Sequence, residues 1–259
     1  MAARRDYPAL TSLRLLAGGL LDLVFPPRCL VCERYDSPAL CEACSGAFTA
    51  IPEPVCEICG RPVESGQSAP CRSCEAHREA SAEGWGFDAA RSAGIFEGSL
   101  RLAVHRLKYN GGESLGLPLG AYLANRIGGC ELFSKEQLRT IDGVLPVPMH
   151  PLRERGRGFN QAALLAIPVA EMLGVPLLPA KMVRRTRRPP QVGLSSKARQ
   201  RNLKNAFHVP EREASLLFGR EILLIDDVFT TGATVNACAF ALRNAGTARI
   251  LIATLASGG

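Results

Sequence analysis

Residues 222–234 read Ile-Leu-Leu-Ile-Asp-Asp-Val-Phe-Thr-Thr-Gly-Ala-Thr, and no other stretch of the chain limits its fold so tightly. Four β-formers in a row, without polar alternation, suit a strand buried on both faces, as strands are in a parallel sheet. Two adjacent carboxylates end the run, a loop of small and hydroxyl residues follows, and Val235–Asn244 is compatible with a helix. In open α/β sheets, ligands bind outside the carboxyl ends of such strands. Residues Thr230–Thr234 combine free backbone N–H groups, a permissive glycine and three hydroxyls at the point where a helix begins. Orphan donors and the positive end of the helix dipole both favour an anion there. Asp226 and Asp227 would repel phosphate but could accept hydrogen bonds from sugar hydroxyls, so the pattern predicts a site for a ribose 5-phosphate group. A rival reading is a Walker B strand holding magnesium. That needs a G-x-x-x-x-G-K-[ST] loop, which the chain lacks. The plain alternative is a buried strand with two solvated turn acids ahead of a threonine N-cap.

This stretch closely resembles the phosphoribosyl-pyrophosphate (PRPP) signature of type I phosphoribosyltransferases. The resemblance implies that Asp226 and Asp227 bind the ribose 2′- and 3′-hydroxyls as the catalytic pair. It also implies that Thr230, Thr231, Gly232, Ala233 and Thr234 hold the 5-phosphate.

Eight of the ten cysteines form four C-x-x-C pairs: Cys29/Cys32, Cys41/Cys44, Cys56/Cys59 and Cys71/Cys74. Two thiolates at this spacing can face one metal from a tight knuckle, and two knuckles complete a tetrahedral Cys₄ zinc site. Gly60, directly after Cys59, suits a knuckle that needs positive φ. Four pairs therefore predict two structural zinc ions. Sequential pairing is the simplest arrangement, across loops of eight and eleven residues. Cross-bracing Cys29/Cys32 with Cys56/Cys59 is open on spacing alone, and His77 reads as a surface residue just past the module. A disulfide framework would require an oxidising compartment. The apolar stretch Leu13–Phe25 follows Arg4 and Arg5, but it carries Arg14 and Asp22 and runs into Phe-Pro-Pro-Arg-Cys rather than a cleavage site. It is too short and too charged to span a bilayer. Ser12–Val24 is expected as an amphipathic helix packed on the protein, with no membrane insertion, and a cytoplasmic location makes the thiols metal ligands. Cys130 and Cys238 stand alone as buried, inert residues.

The expected division is residues 1–80, a helix with a double zinc ribbon too small for much of a core, and residues 81–259. The second part is expected to be α/β, with a parallel sheet flanked by helices. Strands are expected at Phe87–Ile95, Ile141–Pro148, Val175–Leu178, Glu221–Val228 and Arg249–Leu255. Helices are expected at Gly98–Tyr109, Leu115–Ile127 and Asn160–Leu173.

Two basic segments complete the expected site. Residues 146–161 leave the end of a sheet strand and carry Arg153, Arg155 and Arg157, with glycines at 156 and 158. Pro148, Met149, His150, Arg153 and Arg155 are candidate PRPP contacts, with Arg153 and Arg155 facing the pyrophosphate. A solvated basic turn is the plain alternative. Lys181–Lys204 holds nine Lys or Arg and no acid around a Pro/Gly/Ser centre. Arg184, Arg185, Arg187 and Arg188 are expected on a lid that orders over an anion, or on an arm that follows nucleic-acid phosphates.

Taken together, the four C-x-x-C pairs, Leu107–Gly112, Pro146-Val-Pro148, Arg157–Gln161, Gln191, Arg201-Asn202 and the Asp-Asp signature resemble the late-competence ComF family from about Leu20 to Leu255. One departure is the extra Arg-Gly in Arg155-Gly-Arg-Gly-Phe159. The resemblance implies transfer of a 5-phosphoribosyl group from PRPP, with magnesium bridging ribose and pyrophosphate, in natural transformation and DNA uptake or in nucleotide metabolism. Two alternatives reuse the fold without catalysis. One is a single-stranded-DNA-binding protein, which the formal charge of +7 and pI near 9 would suit. The other is an adaptor whose zinc ribbons dock a competence helicase.

Overall fold

In the computed structural model, residues 26–64, 70–80, 84–109, 111–185 and 206–258 are described. The helix expected at Ser12–Val24 lies outside them, as do Arg187 and Arg188. Two short helices, α1 (Glu42–Gly46) and α2 (Arg72–Ala80), lie in the cysteine-rich part. Beyond it follow β1 (Ala89–Ile95), α3 (Gly98–Lys108), α4 (Gly116–Gly128), α5 (Lys135–Arg139), β2 (Gly143–Pro146), α6 (Pro151–Arg157) and α7 (Gln161–Leu173). The chain continues through β3 (Arg184–Arg185), β4 (Phe207–His208), α8 (Glu211–Leu217), β5 (Glu221–Phe229), α9 (Ala233–Asn244) and β6 (Arg249–Ser257). No helix of the described residues is long and apolar enough to cross a membrane.

The four longer strands form a parallel sheet in the order β1-β6-β5-β2. β5 pairs with β6 from Glu221↔Arg249 to Phe229↔Ser257, and with β2 from Gly143↔Ile222 to Pro146↔Ile225. Its unbroken apolar run is explained by the packing. Leu223 and Ile225 face one core, while Ile222 and Leu224 face the other. The first core is closed by α3, α4 and α7, and the second by α9 with Leu217 of α8. Each fully buried leucine here contributes about 1.5–3 kcal/mol. Ser92 and Thr254, the polar residues paired across β1 and β6, share a buried 2.7 Å hydrogen bond.

Four local features depart from the sequence reading. The β2 strand is only four residues long, because Val147 onward turns towards α6. The expected strand at Val175–Leu178 is a single bridge, Val144↔Leu177. The basic turn at 151–157 is a helix, since the His150 side chain accepts from Leu152 N–H and Pro151 occupies its first turn. The short α5 is held by a capping box between Ser134 and Gln137.

The cysteine-rich part solves the problem of a free sheet edge. β1 is an edge strand, and its backbone donates outward, from Ala90 N–H to Ile58 O (2.6 Å) and from Ile95 N–H to Thr49 O (2.8 Å). The approach is close enough that a Cβ on Gly60 would lie 2.4 Å from Ala90 O, at a residue whose φ is +68°. The cysteines gather sequentially, Cys29, Cys32, Cys41 and Cys44 in one cluster and Cys56, Cys59, Cys71 and Cys74 in the other. Their closest sulfurs are 3.7 and 3.8 Å apart in the first cluster and 3.5 and 3.9 Å in the second. A tetrahedron with Zn–S bonds of about 2.3 Å has edges of about 3.8 Å, whereas a disulfide needs about 2.05 Å. Both clusters therefore fit structural zinc, and the cross-braced pairing is excluded. Burial alone would push the Cys29 and Cys56 thiols up. Backbone N–H groups from Cys32, Cys41 and Val31, and from Cys59, Cys71 and Ile58, instead bring them down to about 6 and about 7. The first cluster belongs to the core under α3 and α4, and the second to the core under α9.

The purified protein should contain two zinc ions per chain by elemental analysis, and fewer would contradict this geometry. Gly60→Ala should cost about 2 kcal/mol or more in denaturant unfolding, from positive φ and a backbone clash. Gly46→Ala, with nothing within 4 Å of the added Cβ, should leave the midpoint nearly unchanged.

Candidate functional site

The chain leaves β2 for α7 on one face of the sheet and leaves β5 for α9 on the other. Adjacent parallel strands whose connections diverge in this way open a crevice at their carboxyl ends. Two sequence-predicted segments meet there. Asn160, buried at the start of α7, ties down one side by donating to Val147 O (3.1 Å) and accepting from Ala162 N–H (3.0 Å).

Asp226 and Asp227 stand near the end of β5. Asp227 is buried, and its Oδ1 lies 3.0 Å from Lys108 Nζ, while its Oδ2 is buried without a hydrogen-bond partner. Asp226 Oδ1 accepts from Asp227 N–H at 2.9 Å. Asp226 keeps some exposed surface but is ringed by protein. Desolvation, then the charge of Asp227, pushes its carboxyl up to about 7, against the opposing pull of that N–H, Lys108 and Arg185. Behind it, burial and then Asp226 push the Cys238 thiol up, in keeping with an inert core residue. The pair thus offers an oxygen with unspent acceptor capacity and a carboxylate that a cation or a hydroxyl donor would stabilise.

The loop after β5 turns at Gly232, with φ at +74°, directly before α9. The Thr231 hydroxyl accepts from Ala233 N–H at 3.4 Å. Gly232 is packed so closely that a Cβ would meet the rings of Phe229 and Trp85, at 2.7 and 3.1 Å. Thr230 and Thr231 are exposed, and Thr234 is half-buried. The five residues named from the sequence therefore form one turn at a helix amino end, exposed at Thr230 and Thr231 and buried at Gly232, an arrangement that favours an anion.

On the opposite side lies a cleft of about 570 Å³, lined in part by Lys108, Tyr109, Arg153 and Arg157. The Arg157 guanidinium sits 5.8 Å from the centre of the half-exposed Tyr109 ring. Arg153 lines this cleft, whereas Arg155 is exposed on α6 and is not among the lining residues. Pro148, Met149 and His150 form the turn between β2 and α6, with His150 spent on capping. Arg185 lies near Arg153 and Asp226, and desolvation, then Arg153, lowers the pKa of its guanidinium. It packs 5.4 Å from the centre of Phe207 on β4, while Arg184 points to solvent.

Two residues at the site were not singled out from the sequence. Lys108 sits within Leu107–Gly112, a stretch noticed only for its resemblance, and its ion pair with a residue over a hundred positions away has no local signal. Arg61, from the second cysteine cluster, donates through Nη2 to Thr230 O. Nothing in its neighbourhood of the sequence marks that contact.

Comparison with known proteins agrees with this architecture. The double zinc ribbon domain family matches residues 20–75, and the phosphoribosyl transferase domain family matches residues 160–259. Competence protein F of Haemophilus influenzae is 31% identical over 232 residues, covering 88% of this chain and 96% of that protein. DNA utilization protein YhgH of Salmonella typhimurium is 30% identical over 89% of this chain and 96% of its own length. Competence protein ComFC of Bacillus subtilis is 27% identical over 81% of this chain and 80% of its own. With its double zinc ribbon followed by a phosphoribosyltransferase-type sheet, the chain belongs to the ComF family of competence proteins.

Proposed function

We propose that the protein binds PRPP, or a ribose 5-phosphate group, at the carboxyl ends of β2 and β5, and transfers the phosphoribosyl group to an acceptor. The observation that carries this reading is an acid pair with one buried, unpartnered oxygen set immediately before a hydroxyl-rich turn at the amino end of α9. Asp226 and Asp227 accept from the ribose hydroxyls. The turn at 230–234 donates to the 5-phosphate, and Arg153, with Lys108 and Arg157 in the same cleft, faces the pyrophosphate. Transfer breaks the bond from ribose C1 to pyrophosphate oxygen and forms one from C1 to the acceptor, while the electron pair leaves with pyrophosphate. The sugar turns cationic in passing, so positioning and electrostatics supply most of the catalysis. The acid pair suits a hard divalent cation, and magnesium bound there would neutralise charge on the pyrophosphate. The names of the relatives support a role in DNA uptake or utilisation, and cysteines held as metal-site clusters rather than disulfides suit the reducing cytoplasm.

A second activity has its own support. Tyr109 exposes about half its surface (55%) beside the cations of the cleft, the combination of stacking platform and basic groove that holds single-stranded DNA. Oligonucleotide affinity should then fall with salt, and Arg153→Ala should reduce the slope by about one. Salt-independent binding, or none, would discard this activity.

Saturating PRPP with magnesium should raise the thermal midpoint of the wild type, by an amount corresponding to about 2.7 kcal/mol at a hundredfold excess over Kd. The Asp226→Asn, Asp227→Asn double variant should show no shift. A wild type that does not respond would discard the phosphoribosyl site. Because the folded Asp226 carboxyl titrates near 7, well above an unfolded carboxylate, its burden on stability is absent at acid pH. It grows as pH rises from about 4 to about 7. Asp226→Asn should therefore stabilise the ligand-free protein at pH 8 and not at pH 4, which unfolding at the two pH values would check.

A further inference from the structure

We infer that Arg61 is a positioning residue for the anion-binding turn, and that the second zinc cluster is thereby part of the ligand site rather than only a brace on the sheet. This rests on the phosphoribosyl reading above. Arg61 is fixed at its backbone by the knuckle itself, since its carbonyl accepts from Cys56 N–H (2.8 Å) while Gly60 N–H donates to Cys56 O (2.9 Å). Its guanidinium reaches the other knuckle of the same cluster, with Nη1 3.5 Å from the hydroxyl of Ser73, between Cys71 and Cys74. From there Nη2 donates to the carbonyl of Thr230. That carbonyl and the N–H of Thr231 belong to one planar trans peptide and point in opposite directions. Anchoring the first on Arg61 therefore aims the second away from the ribbon, ready for an anion.

A second strut runs from the same cluster. His77 lies one helical turn beyond Cys74 on α2 and stacks on Trp85, with ring centres 3.8 Å apart and planes 17° apart. The Trp85 ring lies against Gly232. The turn is thus held at residues 230 and 232 by the two halves of one metal site. A turn ordered beforehand binds more tightly than one the ligand must order itself. The coupling is reciprocal, so a ligand on the turn must also stabilise zinc in this cluster and not in the other.

The test uses full-length, zinc-loaded protein with ribose 5-phosphate and inorganic pyrophosphate as probes in titration calorimetry. Arg61→Ala should weaken ribose 5-phosphate about tenfold, the cost of a turn that the ligand must then order itself. Pyrophosphate affinity, zinc content and the thermal midpoint should stay near wild type. Ribose 5-phosphate should also slow the release of one zinc ion of two to a chromogenic chelator in the wild type, and should lose that effect in Arg61→Ala. Equal ribose 5-phosphate affinities, or zinc release that ignores the ligand, would overturn the role of Arg61 while leaving the phosphoribosyl reading intact. No binding by the wild type would overturn both. Should Arg61→Ala lose zinc, Arg61→Lys and His77→Ala carry the test, and unchanged affinity in both would overturn the inference.

Discussion

Burial of β5 on both faces fixes the order of the sheet and the position of the candidate site. A strand with apolar side chains above and below must sit in the middle of a parallel sheet, and its first polar residues must fall at the carboxyl end, where cover stops. Asp226 and Asp227 occupy that position. Their placement is therefore a consequence of the sheet, as is the turn that follows, because the chain must leave β5 for α9. The divergence of the β2 and β5 connections then brings a second segment, with its arginines, to the same edge.

The sheet would be incomplete without the cysteine-rich part. Ribbon backbone approaches β1 so closely that a Cβ on Gly94 would lie 2.7 Å from Thr49 O, and the strand's outward N–H groups find carbonyls from Thr49 and Ile58. So small a cysteine-rich module cannot bury a sufficient core of its own, and zinc in the two clusters would supply the missing rigidity. The two clusters join opposite cores, so the module clamps the edge strand from both faces. Arg61, beside one of them, also touches the turn at 230–234, which joins the ribbon to the geometry of the candidate site.

Much of this was legible in the sequence, and the reason differs from element to element. The long strands and helices carried unbroken or periodic apolar patterns, and the C-x-x-C spacing admitted few geometries, although the choice of sequential pairing needed distances between sulfurs. The α6 helix was hidden because its arginines and glycine read as a turn, and only the His150 cap and Pro151 decide otherwise. The expected strand at Val175–Leu178 shrank to a bridge because Pro146, the next residue of β2 in line to donate to it, has no N–H. Of the site, the acid pair and the hydroxyl turn were readable because they are contiguous. The Lys108–Asp227 ion pair and the reach of Arg61 to Thr230 are made by folding alone, and no local pattern encodes them.

A crystal structure of the protein grown with PRPP and magnesium would test the phosphoribosyl site directly. Density is expected for the 5-phosphate on the backbone N–H groups of residues 230–234, the ribose hydroxyls on Asp226 and Asp227, and the pyrophosphate beside Arg153. Crystals at saturating PRPP with no ligand at this edge, or with the ligand bound elsewhere, would contradict the phosphoribosyl reading.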